Sequence, residues 1–180
     1  MVKKHILIMG NVQVGKSTLI RHLLEQCTLP VAGYYTRASE RDANGVRYFY
    51  IHPAGAEDGQ QSPENCIGSA DGKTKESRPE VFDRLGTQYL ETSPGSVIVM
   101  DEIGTMEENA QRFRDKVLAC LDEDIPVIAA VKSKAGSSFL ERVKHRPNTR
   151  MYWITEQNRE MLYEELLPTI LQWNEQGREV

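Results

Sequence analysis

The chain has 180 residues, which is enough for one domain with a buried core and one active site. Its formal net charge is −4 with a pI near 5.6, and the basic residues are scattered, so the composition does not indicate a nucleic-acid-binding surface. The apolar run between Lys4 and Gly10 is too short for a signal peptide or a membrane span. Cys27, Cys66 and Cys120 lack CxxC spacing, which is typical of reduced thiols. We therefore expect a single-domain cytoplasmic protein with no membrane partner.

The first predicted strand is the apolar run HILIMG, which is followed by GNVQVGKSTL and an amphipathic helix from Lys16 to about Glu25. The GxxxxGK[ST] pattern between a strand and a helix presents backbone N–H groups and the positive end of the helix to phosphates. We expect Lys16 to contact the β and γ phosphates and Ser17 to bind Mg²⁺. The predicted phosphate loop consists of Gly10, Asn11, Val12, Gln13, Val14, Gly15, Lys16, Ser17 and Thr18.

The next part of the chain is rich in β-forming residues. VAGYYTRAS and VRYFYIH flank ERDANG, and the pair Asn44-Gly45 is a strong turn signal, so we predict a β-hairpin. Residues 53–79 have little apolar periodicity and many Gly, Pro, Ser, Asp and Lys residues. This composition predicts a long surface loop or a lid.

Predicted helices and strands alternate through the rest of the chain. EVFDRLGTQYLET, ENAQRFRDKVLACLDED, SSFLERVKHR and EQNREMLYEELLPTILQWNEQ are predicted helices, the last bent or divided by Pro168. SVIVMDEIG, IPVIAAVK and TRMYWIT are predicted strands. This alternation predicts an α/β fold with a mainly parallel sheet and helices on both faces, into which the hairpin and the polar loop are inserted.

Two acidic residues end the strand SVIVMDEIG. Asp101 comes at its carboxyl end, where ligands of open α/β sheets collect, and is the expected Walker B ligand of the metal. Glu102, one residue further, is placed to orient or deprotonate a water that attacks the γ phosphate. The alternative for Glu102 is a solvated loop carboxylate.

The sequence DEIG also matches the DxxG pattern of switch GTPases. That class reads guanine with an Asn-Lys-x-Asp motif after a later strand. In this chain IPVIAAV is followed by Lys132-Ser133-Lys134-Ala135, which disfavours a guanine switch.

Taken together, the phosphate loop, GYYTRASERDANGVRYFYI, VIVMDEIGTME, PVIAAV and ITEQNRE resemble the THEP-type, or cancer-related, nucleoside triphosphatases. The resemblance covers most of the chain, with 53–79 matched least. It implies hydrolysis of nucleoside triphosphates to diphosphate and phosphate with loose choice of base. It also implies a RecA-like sheet in which another strand separates the two Walker strands. A second nucleotide-contacting stretch is implied at Val97, Ile98, Val99, Met100, Asp101, Glu102, Ile103 and Gly104.

The chain departs from the family pattern near the expected γ phosphate. Val12 and Gln13 replace a Pro-Gly pair, Ser17 replaces Thr, and Thr105 follows DEIG where Lys is frequent. Lys132 occupies a position where the family often has His, and is either a phosphate sensor or a solvated lysine. The phosphate cradle is built from backbone and is expected to survive these changes.

Phosphoryl transfer commonly uses an arginine to neutralise developing charge. Arg47 and Arg142 resemble family arginine positions, and the alternative for each is an ordinary surface arginine. Asn158 and Arg159 either approach the base or cap the last helix.

Three functions are compatible with these residues. The first is a Mg²⁺-dependent nucleoside triphosphatase that acts on ATP, GTP or other nucleotides. The second is a nucleotide or small-molecule kinase in which residues 53–79 close over an acceptor. The third is a slow, nucleotide-dependent binding module. The oligomeric state is left open by the sequence.

Overall fold

The computed structural model of the protein describes residues 4–56, 59–133 and 136–177, which form one eight-stranded sheet with helices on both faces. The strands are β1 (His5–Gly10), β2 (Val31–Arg41), β3 (Arg47–Pro53), β4 (Cys66–Ala70), β5 (Lys75–Ser77), β6 (Val97–Ile103), β7 (Val127–Val131) and β8 (Thr149–Ile154). The helices are α1 (Lys16–Leu24), α2 (Pro79–Val81), α3 (Thr87–Tyr89), α4 (Gln111–Asp122), α5 (Ser138–Lys144) and α6 (Arg159–Gly177), with a π-helical segment at Phe82–Gly86.

Five strands, in the order β2-β6-β7-β1-β8, pair in parallel and are called the parallel half below. The apolar runs of β1, β6 and β7 are buried on both faces, and alternate residues pack into two separate clusters. Leu7, for example, lies in one cluster, while Ile6 and Ile8 lie in the other. Since β7 lies between β1 and β6, the implied RecA-like order is confirmed.

The strands β3, β4 and β5 extend the sheet beyond β2 with antiparallel pairing and are called the antiparallel half. The predicted hairpin is confirmed: Asp42 Oδ1 accepts the N–H groups of Asn44 and Val46, both at 2.9 Å, and so fixes the turn between β2 and β3. The prediction of a loop or lid at 53–79 is wrong in part. Residues 66–70 and 75–77 form β4 and β5. Because β4 pairs with β3 and β5 pairs with β4, strand pairing orders a segment whose sequence pattern does not predict strands.

The two halves join at Gly33 in β2. Its φ is 108°, and a Cβ there would lie 1.9 Å from the carbonyl oxygen of Val99 in β6. Because no side chain fits this approach, glycine lets β2 lie against β6 while its other edge pairs with β3.

The helices cover the sheet unequally. Residues of α1 and α6 pack on one apolar cluster, and residues of α4 and α5 pack on the other. The helix predicted for EVFDRLGTQYLET is confirmed as a continuous helical stretch over 79–89, in which the π-helical segment lies between α2 and α3. α6 is not divided by Pro168, which lies inside it. Within the described residues no helix has the length and apolar character needed to cross a membrane.

Candidate active site

The phosphate loop connects β1 to α1 at the carboxyl edge of the parallel half. Gly15, directly before α1, has φ 101°, and a Cβ there would lie 3.1 Å from Cδ of Arg159. The Lys16 ammonium donates hydrogen bonds to the carbonyl oxygens of Gly10 at 3.2 Å and Asn11 at 2.9 Å. Only 7% of Lys16 is exposed, so the lysine is folded over its own loop, beside the N-terminus of α1.

Ser17 and Asp101 are brought together by the sheet although they lie 84 residues apart in the chain. Ser17 Oγ donates a hydrogen bond to Asp101 Oδ1 at 3.0 Å. The pKa of Asp101 is raised to about 6, chiefly by burial; the hydrogen bond from Ser17 and the charge of Lys16 oppose this rise, and the charge of Glu102 contributes to it. A desolvated carboxylate of this kind is stabilised by a cation.

These two oxygen donors fit the hard ligand set that Mg²⁺ prefers. Among residues 4–56, 59–133 and 136–177, no three His, Cys, Asp or Glu side chains cluster as a metal site. A cation held at Ser17 and Asp101 would therefore take its other ligands from phosphate and water.

Glu102 lies between two lysines. Its Oε2 is 3.6 Å from Lys16 Nζ, and its Oε1 is 3.3 Å from Lys132 Nζ. Nearby, the Gly104 N–H donates a hydrogen bond to Glu107 Oε1, and Glu107 is only 2% exposed. Burial raises the pKa of Glu107, an effect that the Gly104 hydrogen bond partly offsets. The acidic end of β6 thus carries one carboxylate paired with cations and one enclosed in the protein.

Two cavities lie beside the phosphate loop and Glu102. One of about 750 Å³ lies between α1 and α6, and its lining includes Thr18, His22, Gln157, Arg159 and Tyr163. The other, of about 320 Å³, lies toward the antiparallel half, and its lining includes Thr36, Phe49, Lys75, Glu102, Met106 and Lys132. Both volumes are in the range of small-molecule sites.

The structure shows which residues of the implied nucleotide-contacting stretch Val97–Gly104 have accessible side chains. Val97, Ile98, Met100 and Ile103 are 0% exposed and Val99 is 4% exposed, because they are packed inside the sheet. Their side chains are enclosed in the sheet, so a nucleotide contact from these five residues would have to come from the backbone, and it stays a prediction. The carboxylates of Asp101 and Glu102 lie at the carboxyl edge, beside the phosphate loop.

The two arginines suggested as charge-neutralising groups lie away from the phosphate loop. Arg47 pairs with Arg41, six residues further along β2 than the Tyr35–Asp101 pair. That is roughly 20 Å at the rise of a strand. Arg142 is exposed on α5. In the described parts of the chain, neither arginine has a hydrogen bond or ion pair to the loop.

Asn158 and Arg159 have different positions. Asn158 Oδ1 accepts the N–H of Thr155 at 2.7 Å, and its Nδ2 donates to the carbonyl oxygen of Trp153 at 2.9 Å. The Asn158 amide therefore holds the turn between β8 and α6, which is a structural role different from the predicted alternative of a helix cap. Arg159 lies against Gly15 and lines the larger cavity, which favours a nucleotide contact.

Sequence reasoning assigned no role to Glu107 or Lys75. Glu107 was visible only as part of DEIGTME. Lys75 lies within residues 53–79, the predicted loop or lid, and its Nζ donates to Thr105 Oγ1 at 2.6 Å beside the cavity that Glu102 lines. The spacing of Glu107 is itself a signal in the sequence, because a Glu can accept the backbone N–H of the residue three positions before it, as in a capping box.

The fold and the site define a class. A strand-to-helix phosphate loop on β1, acidic residues at the end of β6 and β7 between them are the arrangement of a P-loop nucleotide-binding protein. Comparison with known sequences then identifies the family. The chain belongs to the NTPase_1 family, described as NTPase, whose profile matches residues 5–167.

Relatives match over nearly the whole chain. The nucleoside-triphosphatase THEP1 of Thermotoga sp. (strain RQ2) is 29% identical over 171 residues, which cover 94% of this chain and 96% of that protein. The protein of the same name from Thermotoga petrophila is 31% identical over 165 residues, which cover 90% of each. The family resemblance of the sequence is thereby confirmed.

Solved structures share the fold. The crystal structure of THEP1 from the hyperthermophile Aquifex aeolicus superposes with a TM-score of 0.74 at 23% identity, covering 92% of this chain and 98% of that one. The solution structure of a human cancer-related nucleoside triphosphatase has a TM-score of 0.66 at 22% identity, covering 93% and 97%. The predicted α/β fold is confirmed.

Proposed function

We propose that the protein hydrolyses nucleoside 5′-triphosphates to diphosphate and phosphate, depends on Mg²⁺ and tolerates different bases. One observation carries the proposal: Ser17, Asp101, Glu102 and Lys16 meet at the mouth of the phosphate loop, with distances of 3.0 Å for Ser17–Asp101 and 3.6 Å for Lys16–Glu102. The names of the relatives support the reaction class.

Phosphate binding is assigned to the backbone of residues 10–18, to the N-terminus of α1 and to Lys16. The Lys16 ammonium would exchange its bonds to the loop carbonyls for bonds to phosphate oxygens. Ser17 and Asp101 would hold Mg²⁺, which supplies charge neutralisation of the β and γ phosphates when bound.

Glu102 is assigned to water activation. The water oxygen forms a bond to the γ phosphorus, the bond from that phosphorus to the β–γ bridging oxygen breaks, and Glu102 accepts the water proton. The leaving diphosphate keeps the bridging oxygen. The position of Glu102, next to Lys16 and one residue after Asp101, supports this role.

Base tolerance is supported by the cavity between α1 and α6. It has about 750 Å³ and is lined by side chains of mixed character, among them His22, Arg159 and Tyr163. Stacking and charge contacts from such residues do not depend on one hydrogen-bonding pattern of the base.

The test is phosphate release from ATP, GTP, CTP and UTP, with and without Mg²⁺, by the wild type, Lys16→Ala and Glu102→Gln. We expect release from all four nucleotides only with Mg²⁺, a loss of about 100-fold or more in each variant, and retained nucleotide binding by Glu102→Gln. Lys4→Ala and Asp124→Asn are matched controls, because this pair forms a 2.8 Å ion pair at the opposite edge of the sheet. If the wild type binds nucleotide but releases no phosphate, the proposed hydrolysis is wrong.

One observation supports a kinase as the second candidate function. The cavity of about 320 Å³ opens beside Glu102 and could hold an acceptor hydroxyl compound. A kinase would transfer phosphate to an added acceptor and release little phosphate without it, so acceptor screens follow a negative hydrolysis result.

A further inference from the structure

Lys132 reaches the candidate active site from the strand between the two functional strands. It directly follows β7, and its backbone N–H donates to the carbonyl oxygen of Ile103 at 2.9 Å. Its side chain lies over Gly104, where a Cβ would be 2.9 Å from the Lys132 Cδ. The main chain and the packing therefore aim the ammonium at Glu102.

Glu102 has both carboxylate oxygens in ion pairs. Oε1 faces Lys132 Nζ at 3.3 Å and Oε2 faces Lys16 Nζ at 3.6 Å, and the side chains of Lys132 and Glu102 are 37% and 25% exposed. Partial burial weakens the screening of these charges by water. The group assigned to water activation is thus held by two cations.

A triphosphate would compete for both lysines. It carries several negative charges and brings its γ phosphate to the end of the phosphate loop, between β1 and β6. An ammonium forms stronger charge-assisted bonds where more negative charge is concentrated. When both lysines turn to phosphate oxygens, the oxygens of Glu102 become available to a water molecule.

We infer that Lys132 is a catalytic residue that neutralises the charge developing on the γ phosphate, and that its ion pair with Glu102 is a resting contact that the triphosphate opens. The inference rests on the proposed function. The charge-neutralising group that was expected to be an arginine is then Lys132 of the same chain. Arg47 and Arg142 lie elsewhere, and Arg159 approaches the loop from the α6 side. A diphosphate lacks the γ group, so its binding does not need Lys132.

The test compares Lys132→Met, which removes the charge at similar length, with Lys132→Arg, which keeps it. Lys4→Met is the matched control at the opposite edge. For Lys132→Met we expect kcat for phosphate release to fall about 100-fold while KM for the Mg²⁺ nucleotide stays within about threefold. Lys132→Arg should restore most of kcat.

A binding measurement separates this role from a structural one. We expect Lys132→Met to weaken ADP with aluminium fluoride, a mimic of the transferring phosphoryl group, by about 100-fold and ADP alone by less than about threefold. Equal weakening of both ligands, or undiminished release by Lys132→Met beside an active wild type, would overturn the role of Lys132 alone. No release by the wild type would overturn the proposed function and this inference together.

Discussion

The parallel half and the antiparallel half of the sheet contribute different things to the molecule. In the parallel half, three strand ends bring the phosphate loop, Asp101 with Glu102, and Lys132 to one edge. The antiparallel half has no shared carboxyl edge, since its strands alternate in direction, and it supplies a wall of the smaller cavity through residues such as Phe49 and Lys75. The difference teaches that chemistry collects where parallel strands end, while reversed strands shape the space beside it.

The largest expected effect is a difference in phosphate release between a variant in the parallel half and a variant in the antiparallel half. Asp101→Asn is expected to lower phosphate release about a thousandfold, or about 4 kcal/mol in activation free energy, because the proposed Mg²⁺ site would lose its charged protein ligand. Arg47→Ala, in the antiparallel half, is expected to change release by less than about threefold. Steady-state assays over a Mg²⁺ series measure both variants. A large loss in Arg47→Ala would show that the antiparallel half takes part in the chemistry.

The next effect concerns the joint between the halves. Gly33→Ala is expected to destabilise the protein by about 3 kcal/mol or more, because the new methyl group would overlap the Val99 carbonyl and φ is positive. Gly72→Ala is the control: its φ is 93°, and a Cβ there has nothing within 4 Å. It should lose only about 1 kcal/mol. Urea denaturation measures both free energies of unfolding, and equal losses would refute a steric role for Gly33.

The smallest effect tests the buried acid between the halves. Burial raises the pKa of Glu107, and the charges of Lys132 and Lys75 partly offset this effect. The unfolded chain therefore ionises Glu107 at lower pH than the folded chain, so the stability contribution of this group falls as pH rises above the ordinary carboxyl range.

Glu107→Gln removes that ionisation and keeps an acceptor for the Gly104 N–H. The variant should gain stability relative to the wild type, and the gain should be larger at pH 8 than at pH 5, as measured by urea midpoints. The exposed Glu76→Gln should show no such difference. An equal gain in stability at the two pH values would mean that ionisation of Glu107 does not destabilise the folded chain.

The sequence predicted the centre of the parallel half well, because β1, β6 and β7 contain continuous apolar runs and the phosphate loop has a strict pattern. β4 and β5 were missed, since CIGSA and KES contain small or charged residues with no clear alternation. Their order comes from pairing with β3 and with each other, which is tertiary information.

The site was predicted in its parts but not in its contacts. The motifs indicated Lys16, Ser17, Asp101 and Glu102 one at a time, and local patterns identify such residues without their distances. The pairing of Glu102 with Lys132 depends on β7 lying between β1 and β6, a property of strand order. The distance of Arg47 from the phosphate loop was hidden for a similar reason, because sequence position did not show how far β2 and β3 extend beyond the register of Asp101.

The turn held by Asn158 also gives the molecule an optical property. The chain has two tryptophans, of which Trp173 is 4% exposed and Trp153 is 49% exposed. The carbonyl of Trp153 is tied to Asn158, and the next residue, Arg159, lies against the phosphate loop. One indole is therefore half exposed to water near the end of β8 and the other is in the core. The contrast between their emission spectra makes the first an intrinsic fluorescent reporter of the hydration of the turn between β8 and α6, with the second as an internal reference.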